Sequence, residues 1–199
     1  MLFVFEGIDG SGKDTIIAGV YEKLIKRGVS VYLTRQPTEK GKKELSDNGD
    51  SPIVSLLSLA SDYQKQVEGE LLLKIVNEPK TVILCSRWFP ITTWAYQQAQ
   101  GATVNQIASI VSLVYPIRPD GCFLINCPVD TAIERIVKRG NADKLDMRGK
   151  QFLEKVDRFY TSYIEGNYPL KPPLRVVDNI YVPELAINFC YESILRMVK

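Results

Sequence analysis

A five-residue apolar run ending in a glutamate, Leu2–Glu6, passes straight into Gly7-Ile8-Asp9-Gly10-Ser11-Gly12-Lys13-Asp14-Thr15, and a helical pattern follows. That junction restricts the fold more than any other feature of the chain. Glycines at 7, 10 and 12 let the backbone curl so that successive N–H groups turn inward, and the positive end of the next helix strengthens the field there. Such a loop cradles phosphate oxygens, and Lys13 is placed to neutralise those between the second and third phosphates of a nucleoside triphosphate. A strand, a glycine loop and a helix in this order also open a parallel sheet covered by helices.

The rest of the chain agrees with that opening. Further short apolar runs at 30–34, 81–85, 122–127 and 174–178 are continuous rather than alternating, as strands buried on both faces are. Helical patterns are predicted over residues 14–27, 52–77, 105–115, 129–139, 149–164 and 183–198, and the polar stretch 39–50 reads as a mobile loop or a short helix. The expectation is an α/β fold of three layers. At 199 residues and 45% hydrophobic, the chain suits one domain over residues 1–199 and is short for two. It contains no histidine, and its four cysteines (Cys85, Cys122, Cys127 and Cys190) form no CxxC pair, so a zinc site is not expected. Reduced, buried thiols in a cytoplasmic protein are the expectation. A net charge of +2 gives no sign of a nucleic-acid partner. No apolar run reaches the roughly 20 residues that a membrane span needs, and the N-terminus lacks the basic segment of a signal peptide.

Beyond the phosphate loop, the chain resembles the thymidylate kinases, which are P-loop nucleoside monophosphate kinases. Phe5-Glu6-Gly7-Ile8-Asp9-Gly10 is similar to that family's opening, and Thr34-Arg35-Gln36-Pro37 to its TREP segment. Ser86-Arg87-Trp88 stands where the family has DRY or DRH, and Ala95-Tyr96-Gln97 matches its AYQ. Pro119-Asp120, Pro128-Val129-Asp130, Glu134-Arg135-Ile136 and Asp143-Lys144-Leu145-Asp146 continue the series in the family's order. The resemblance implies a five-stranded parallel sheet of order 2-3-1-4-5, a homodimer, and transfer of the γ-phosphoryl group of ATP to a nucleoside monophosphate with Mg²⁺.

It also implies roles. Gly7, Gly10, Ser11, Gly12, Lys13, Asp14 and Thr15 would hold ATP together with Arg135 and Arg139. Arg35 and Arg87 would grip the acceptor phosphate, Arg87 also standing near the transferring group, because the planar guanidinium offers paired donors to phosphate. Asp9 would meet the acceptor 3′-hydroxyl, Tyr96 would pack where a ribose 2′-hydroxyl would lie, and Thr93 and Gln97 would reach the base. In this family a catalytic arginine comes from the loop after Asp9 or from a basic lid. Position 10 is glycine, so the lid, at about 139–149 within a segment carrying seven basic residues from Arg135 to Lys155, would supply it. Lys144 and Arg148 are the candidates, with Arg139 beside them.

Three departures stand out. The hydroxyl expected after Lys13 is Asp14, and the aspartate expected before Arg87 is Ser86, which suggests that the two exchange roles around the metal. Asp14 could serve it directly or through water. The family's base-stacking Phe and base-reading Arg are matched by Leu59 and Tyr63, so the acceptor could be dTMP, dUMP or something broader. A deoxynucleoside kinase and a non-catalytic nucleotide-binding regulator are the rival readings.

Overall fold

The computed structural model describes residues 1–47, 51–114, 116–140, 149–166 and 171–198. Five parallel strands form one sheet: β1 (Leu2–Glu6), β2 (Val31–Arg35), β3 (Val82–Ser86), β4 (Gly121–Asn126) and β5 (Leu174–Asp178). Their order is β2-β3-β1-β4-β5, as the resemblance implies. β1 lies at the centre and is buried along its whole length. Its Leu2 and Val4 enter one hydrophobic cluster, and its Phe3 and Phe5 enter the other. That alternation places a core on each face of the sheet, the three-layer arrangement expected.

Strands β2 and β3 begin and end one residue later than the apolar runs suggest, and β4 one residue earlier. The hydrogen-bond ladder, not apolarity, sets these ends. Ser86 pairs in register with both Phe5 and Arg35, so two polar residues sit within the sheet at its C-terminal edge. Chain direction therefore gathers Glu6, Arg35, Ser86 and Asn126 at one end, where open α/β sheets bind ligands.

The helices are α1 (Lys13–Lys26), α2 (Glu39–Asp47), α3 (Pro52–Gln66), α4 (Leu72–Asn77), α5 (Phe89–Ala99), α6 (Val104–Val111), α7 (Val129–Arg139), α8 (Gly149–Glu165) and α9 (Pro183–Met197). Helices α1 and α9 pack together and cover one face through Ile16, Val20, Leu24, Ile187 and Ile194. Helices α3, α5 and α8 cover the other face through Leu56, Tyr63, Ala95, Val156 and Tyr160. Three differences from the sequence reading matter. The single helix expected over 52–77 contains a π-helical turn, Val67–Leu71, between α3 and α4. The polar stretch 39–50, by contrast, carries the short helix α2, one of the two outcomes expected. Helix α5 carries no amphipathic signal because nearly every side is buried: Phe89, Ile91, Thr93, Trp94, Ala95, Tyr96 and Gln97 are all enclosed. The expected 105–115 helix is α6, which starts one residue earlier behind a Thr103–Gln106 capping box and ends at Val111. All four cysteines are free and buried. The predicted lid residues Lys144 and Arg148 lie outside the described residues.

Candidate active site

The phosphate loop joins β1 to α1, and its three glycines have φ of 142° (Gly7), 80° (Gly10) and 87° (Gly12). These are left-handed backbone values that residues with a Cβ rarely adopt. Gly10 has a second reason to be glycine, since a Cβ there would overlap the carbonyl of Ala132 in α7. No side chain fits at that position, so the loop cannot carry a cation after Asp9. Lys13 opens α1 and is almost wholly buried. Burial first, and then the charge of Arg87, press its ammonium below the ordinary lysine range, against the opposing pull of Asp9, Asp14 and Glu6. From behind, Arg135 Nη1 (3.2 Å) and Asn179 Nδ2 (2.7 Å) both donate to the Ser11 carbonyl. Arg135 thus touches the back of the loop, while Arg139 ends α7. Thr15 is exposed on the first turn of α1.

Arg87 follows β3 in a left-handed conformation, φ 70°. Its N–H donates to Phe5 O at 2.9 Å, and the Cys85 thiol donates to its carbonyl at 3.0 Å, which hold the backbone in this unfavourable region. The guanidinium is held as closely. Nη2 donates to Asp9 Oδ1 (2.5 Å) and to Tyr96 Oη (2.9 Å), and the group lies 4.5 Å over the Tyr96 ring. Tyr96 Oη donates to Asp9 Oδ2 (2.8 Å) and accepts from the Asp9 N–H (3.0 Å). Lys13 approaches Asp9 Oδ1 at 3.7 Å, so the two cations converge on a single oxygen. Burial would push the Asp9 carboxyl up, but Arg87 and then Lys13 more than reverse this and hold it at about 2. It is ionised at any working pH, as a fixed anchor must be.

Beneath Arg87 sits Glu6, fully buried at the end of β1. Its Oε1 accepts from Trp88 N–H (2.6 Å) and Thr92 Oγ1 (2.8 Å), and its Oε2 from Tyr160 Oη (2.7 Å). Tyr160 Oη in turn accepts from Arg87 Nη1 at 3.5 Å. Burial raises the pKa of Glu6, and the nearby Arg87 charge only partly offsets this.

Across the mouth, Ser86 Oγ donates to Asp14 Oδ1 at 2.8 Å. Burial pushes the Asp14 carboxyl up, but Lys13 and the Ser86 hydrogen bond outweigh it and lower its pKa. The pair presents a carboxylate and a hydroxyl, which are hard oxygen donors that suit Mg²⁺. No cluster of three or more metal-ligating acids, cysteines or histidines occurs among the described residues. A Mg²⁺ ion held mainly by substrate phosphates and water needs only one or two protein oxygens. Arg35 is exposed at the end of β2 and paired with Glu39 at 3.2 Å.

Beyond Arg87 a narrow cleft runs between α3, α5 and the segment after β2. Leu59, Tyr63, Phe89 and Pro37 give it apolar walls. Its polar groups are mostly committed to the protein itself. Gln36 Oε1 accepts from Phe89 N–H and its Nε2 donates to Gln66, while Asp62 accepts from the N–H and hydroxyl of Thr38. The Thr93 hydroxyl donates to Phe89 O at 2.6 Å. The Tyr63 hydroxyl meets the backbone of Ile117, so its ring rather than its oxygen faces the cleft. Gln97, one turn beyond Thr93, is buried, and its Oε1 has no partner among the described residues.

Sequence reading did not anticipate Glu6, Gln36, Tyr160 or Asn179 as parts of this site. A charge ending a wholly buried strand, as Glu6 does, was a readable sign, because buried carboxylates need partners. Tyr160 and Asn179 gave none, since their partners lie 154 and 168 residues away.

Comparison with known proteins bears on this arrangement. The family model for thymidylate kinase matches residues 5–170. The chain is 29% identical over 206 residues to a thymidylate kinase of Finegoldia magna, covering 98% of each. It is 30% identical over 207 residues to a probable thymidylate kinase of Pyrococcus horikoshii, covering 98% of the chain and 94% of that protein. To a thymidylate kinase of Ectopseudomonas mendocina it is 29% identical, covering 80% of each.

Proposed function

Because the chain belongs to the thymidylate kinase family, we propose that it transfers the γ-phosphoryl group of ATP to dTMP, giving dTDP and ADP. It is an ATP-dependent nucleoside monophosphate kinase. The observation that carries the reading is the meeting of two cations, Lys13 from the phosphate loop and Arg87 from the end of β3, on Asp9 Oδ1. Phosphoryl transfer between two anions needs little covalent chemistry from a protein. It needs both partners in line and positive charge around the transferring group. Lys13 serves the donor phosphates, Arg87 the acceptor phosphate, and Arg35 adds charge at the rim. Asp9 and Tyr96 orient Arg87 and meet the acceptor sugar. Leu59, Tyr63, Thr93 and Gln97 border the base. Arg139, Lys144 and Arg148 are the candidates for the cation that closes over the transferring group, and Arg139 for a contact with ATP. Arg135, expected to hold ATP, is instead bound to the Ser11, Asn179 and Ile180 carbonyls and supports the loop from behind.

Asp14 and Ser86 would hold Mg²⁺, which when bound neutralises charge on the phosphate oxygens. Asp14→Ser and Ser86→Asp are each expected to lower kcat/KM about 10²-fold, and combining them to recover at least about tenfold. Strictly additive losses in that cycle would remove the exchange. A homodimer is also part of the reading, since α3 exposes Val54 and Leu57 and α4 exposes Leu73 and Val76. A monomer in sedimentation at micromolar concentration would end that part. No helix of the described residues is long and apolar enough to cross a membrane, and we place the enzyme in the cytoplasm as one domain over residues 1–199.

The deciding experiment is coupled ADP release with a panel of nucleosides and nucleoside monophosphates. The expected result is turnover with dTMP above all others. Turnover of nucleosides alone would replace the reading with a nucleoside kinase, and silence with every acceptor would leave a nucleotide-binding regulator.

A further inference from the structure

Asn179 lies between β5 and α9 and is 2% exposed. Its backbone is fixed at both ends, with N–H donating to Asn126 O at 2.8 Å and the carbonyl accepting from Arg135 Nη2 at 2.9 Å. From this rigid seat its Nδ2 donates to the Ser11 carbonyl at 2.7 Å, where Arg135 Nη1 is the second donor. The orientation of the amide follows from its partner. Turned over, its oxygen would face the oxygen of Ser11 and repel it. The Asn179 Oδ1, buried and without a partner among the described residues, is left in that state for the sake of this one bond. The approach is so close that a Cβ on Gly12 would overlap Asn179 Nδ2, so the glycine and the asparagine are a matched pair.

The Ser11–Gly12 peptide is trans. In a planar trans peptide the carbonyl and the next N–H point opposite ways. With the Ser11 carbonyl drawn toward Asn179 and Arg135, the Gly12 N–H points away from them. The neighbouring Asp9 and Ser11 N–H groups are already used, by Tyr96 Oη and Ile8 O.

We propose that Asn179 is a positioning residue for the phosphate loop: by holding the Ser11 carbonyl outward it holds the Gly12 N–H toward the phosphates of ATP. The role rests on the reading of residues 7–15 as the ATP site. It predicts an effect confined to the donor nucleotide. Asn179→Asp keeps the shape but sets a carboxylate oxygen against the Ser11 carbonyl, which favours turning the peptide over. Asn179→Ala removes the bond and leaves Arg135 as the remaining donor.

Calorimetric titration of ATP and of dTMP, each alone, tests this on wild type and both variants. Asn179→Asp is expected to weaken ATP binding about tenfold or more and Asn179→Ala about threefold, with dTMP affinity held within about twofold. Should Asn179→Asp not fold, Asn179→Ala alone decides, and ATP affinity equal to wild type overturns the proposal. Equal losses for ATP and dTMP, accompanied by a lower melting temperature, overturn it too, because they mark a merely structural residue. A wild type that binds no ATP removes the underlying reading and the clamp with it. A wild type that binds ATP no better than Asn179→Asp removes only the clamp.

Discussion

Arg87→Met is expected to lower kcat/KM for the acceptor by about 10³-fold, because in the proposed reaction it removes a pre-aimed cation from the point where donor and acceptor charges meet. The guanidinium costs nothing to orient at the moment of reaction. Asp9, Tyr96 Oη, Tyr160 Oη and the Tyr96 ring already hold it. Burial acts to lower its pKa, but Tyr96, Asp9, Tyr160 and Glu6 outweigh this, so the net shift is well above the ordinary arginine range and it remains a cation. Arg87→Lys separates charge from geometry. It keeps the charge but lacks the paired donors, and a loss of about 10² is expected. Removing Arg87 also strips Asp9 of its main counter-ion, so the Met variant should lose stability as well, about 3 kcal/mol by analogy with broken buried pairs. Melting curves must therefore accompany the kinetics. Arg87→Lys retaining activity within threefold of wild type, with a normal melt, would show that paired donation is not what this position supplies.

Glu6 offers the largest expected effect on stability. Glu6→Ala leaves the buried Trp88 N–H and Tyr160 hydroxyl, and the half-buried Thr92 hydroxyl, without their shared acceptor. The expected cost is about 3–5 kcal/mol, enough to unfold many domains of this size. Glu6→Gln should behave differently, because the amide oxygen still serves Trp88 and Thr92. The pH dependence separates the two forms further. The folded pKa of Glu6 is raised above 4.5 by burial, so the folded state binds the proton more tightly than the unfolded chain. Its contribution to stability is therefore fully present below pH 4.5 and is lost as pH rises through the folded value. Asp9 acts in the opposite sense, with stability present above about 3.8 and lost as pH falls toward about 2. Chemical denaturation of Glu6→Gln across pH 4 to 8 should show a flatter profile than wild type. An unchanged profile would mean that Glu6 titrates normally and that its burial carries no such penalty.

The parts of this protein that were readable beforehand are those whose cause is local. The phosphate loop could be read because three positive-φ glycines leave a mark on the sequence, and β1 because a strand buried on both faces must be apolar throughout. Helix α5 could not be read by the same means, since enclosure on nearly every side erases the 3.6-residue rhythm. The proposed exchange of Asp14 and Ser86 shows in the sequence only as two mismatches 72 residues apart, and the 2.8 Å bond between them gives the mismatches a common location. Gln36 illustrates the limit. Its neighbours in the chain suggest a loop, yet it joins Gln66 to the start of α5, and such a role exists only once strands and helices have met.

The π-helical turn at Val67–Leu71 has a consequence for how α3 and α4 are seated. One widened turn breaks the rotational phase between the segment that carries Leu59 and Tyr63 and the segment that carries Leu72 and Ile75 against the core. Side chains before and after it need not share a common helical stripe. The two segments therefore meet the core independently: Tyr63 is fully buried against Trp88 and Phe89, while Leu72 and Ile75 are partly buried against the same cluster. The turn works as a seam, so each segment is seated by its own contacts and not by the phase of one continuous helix.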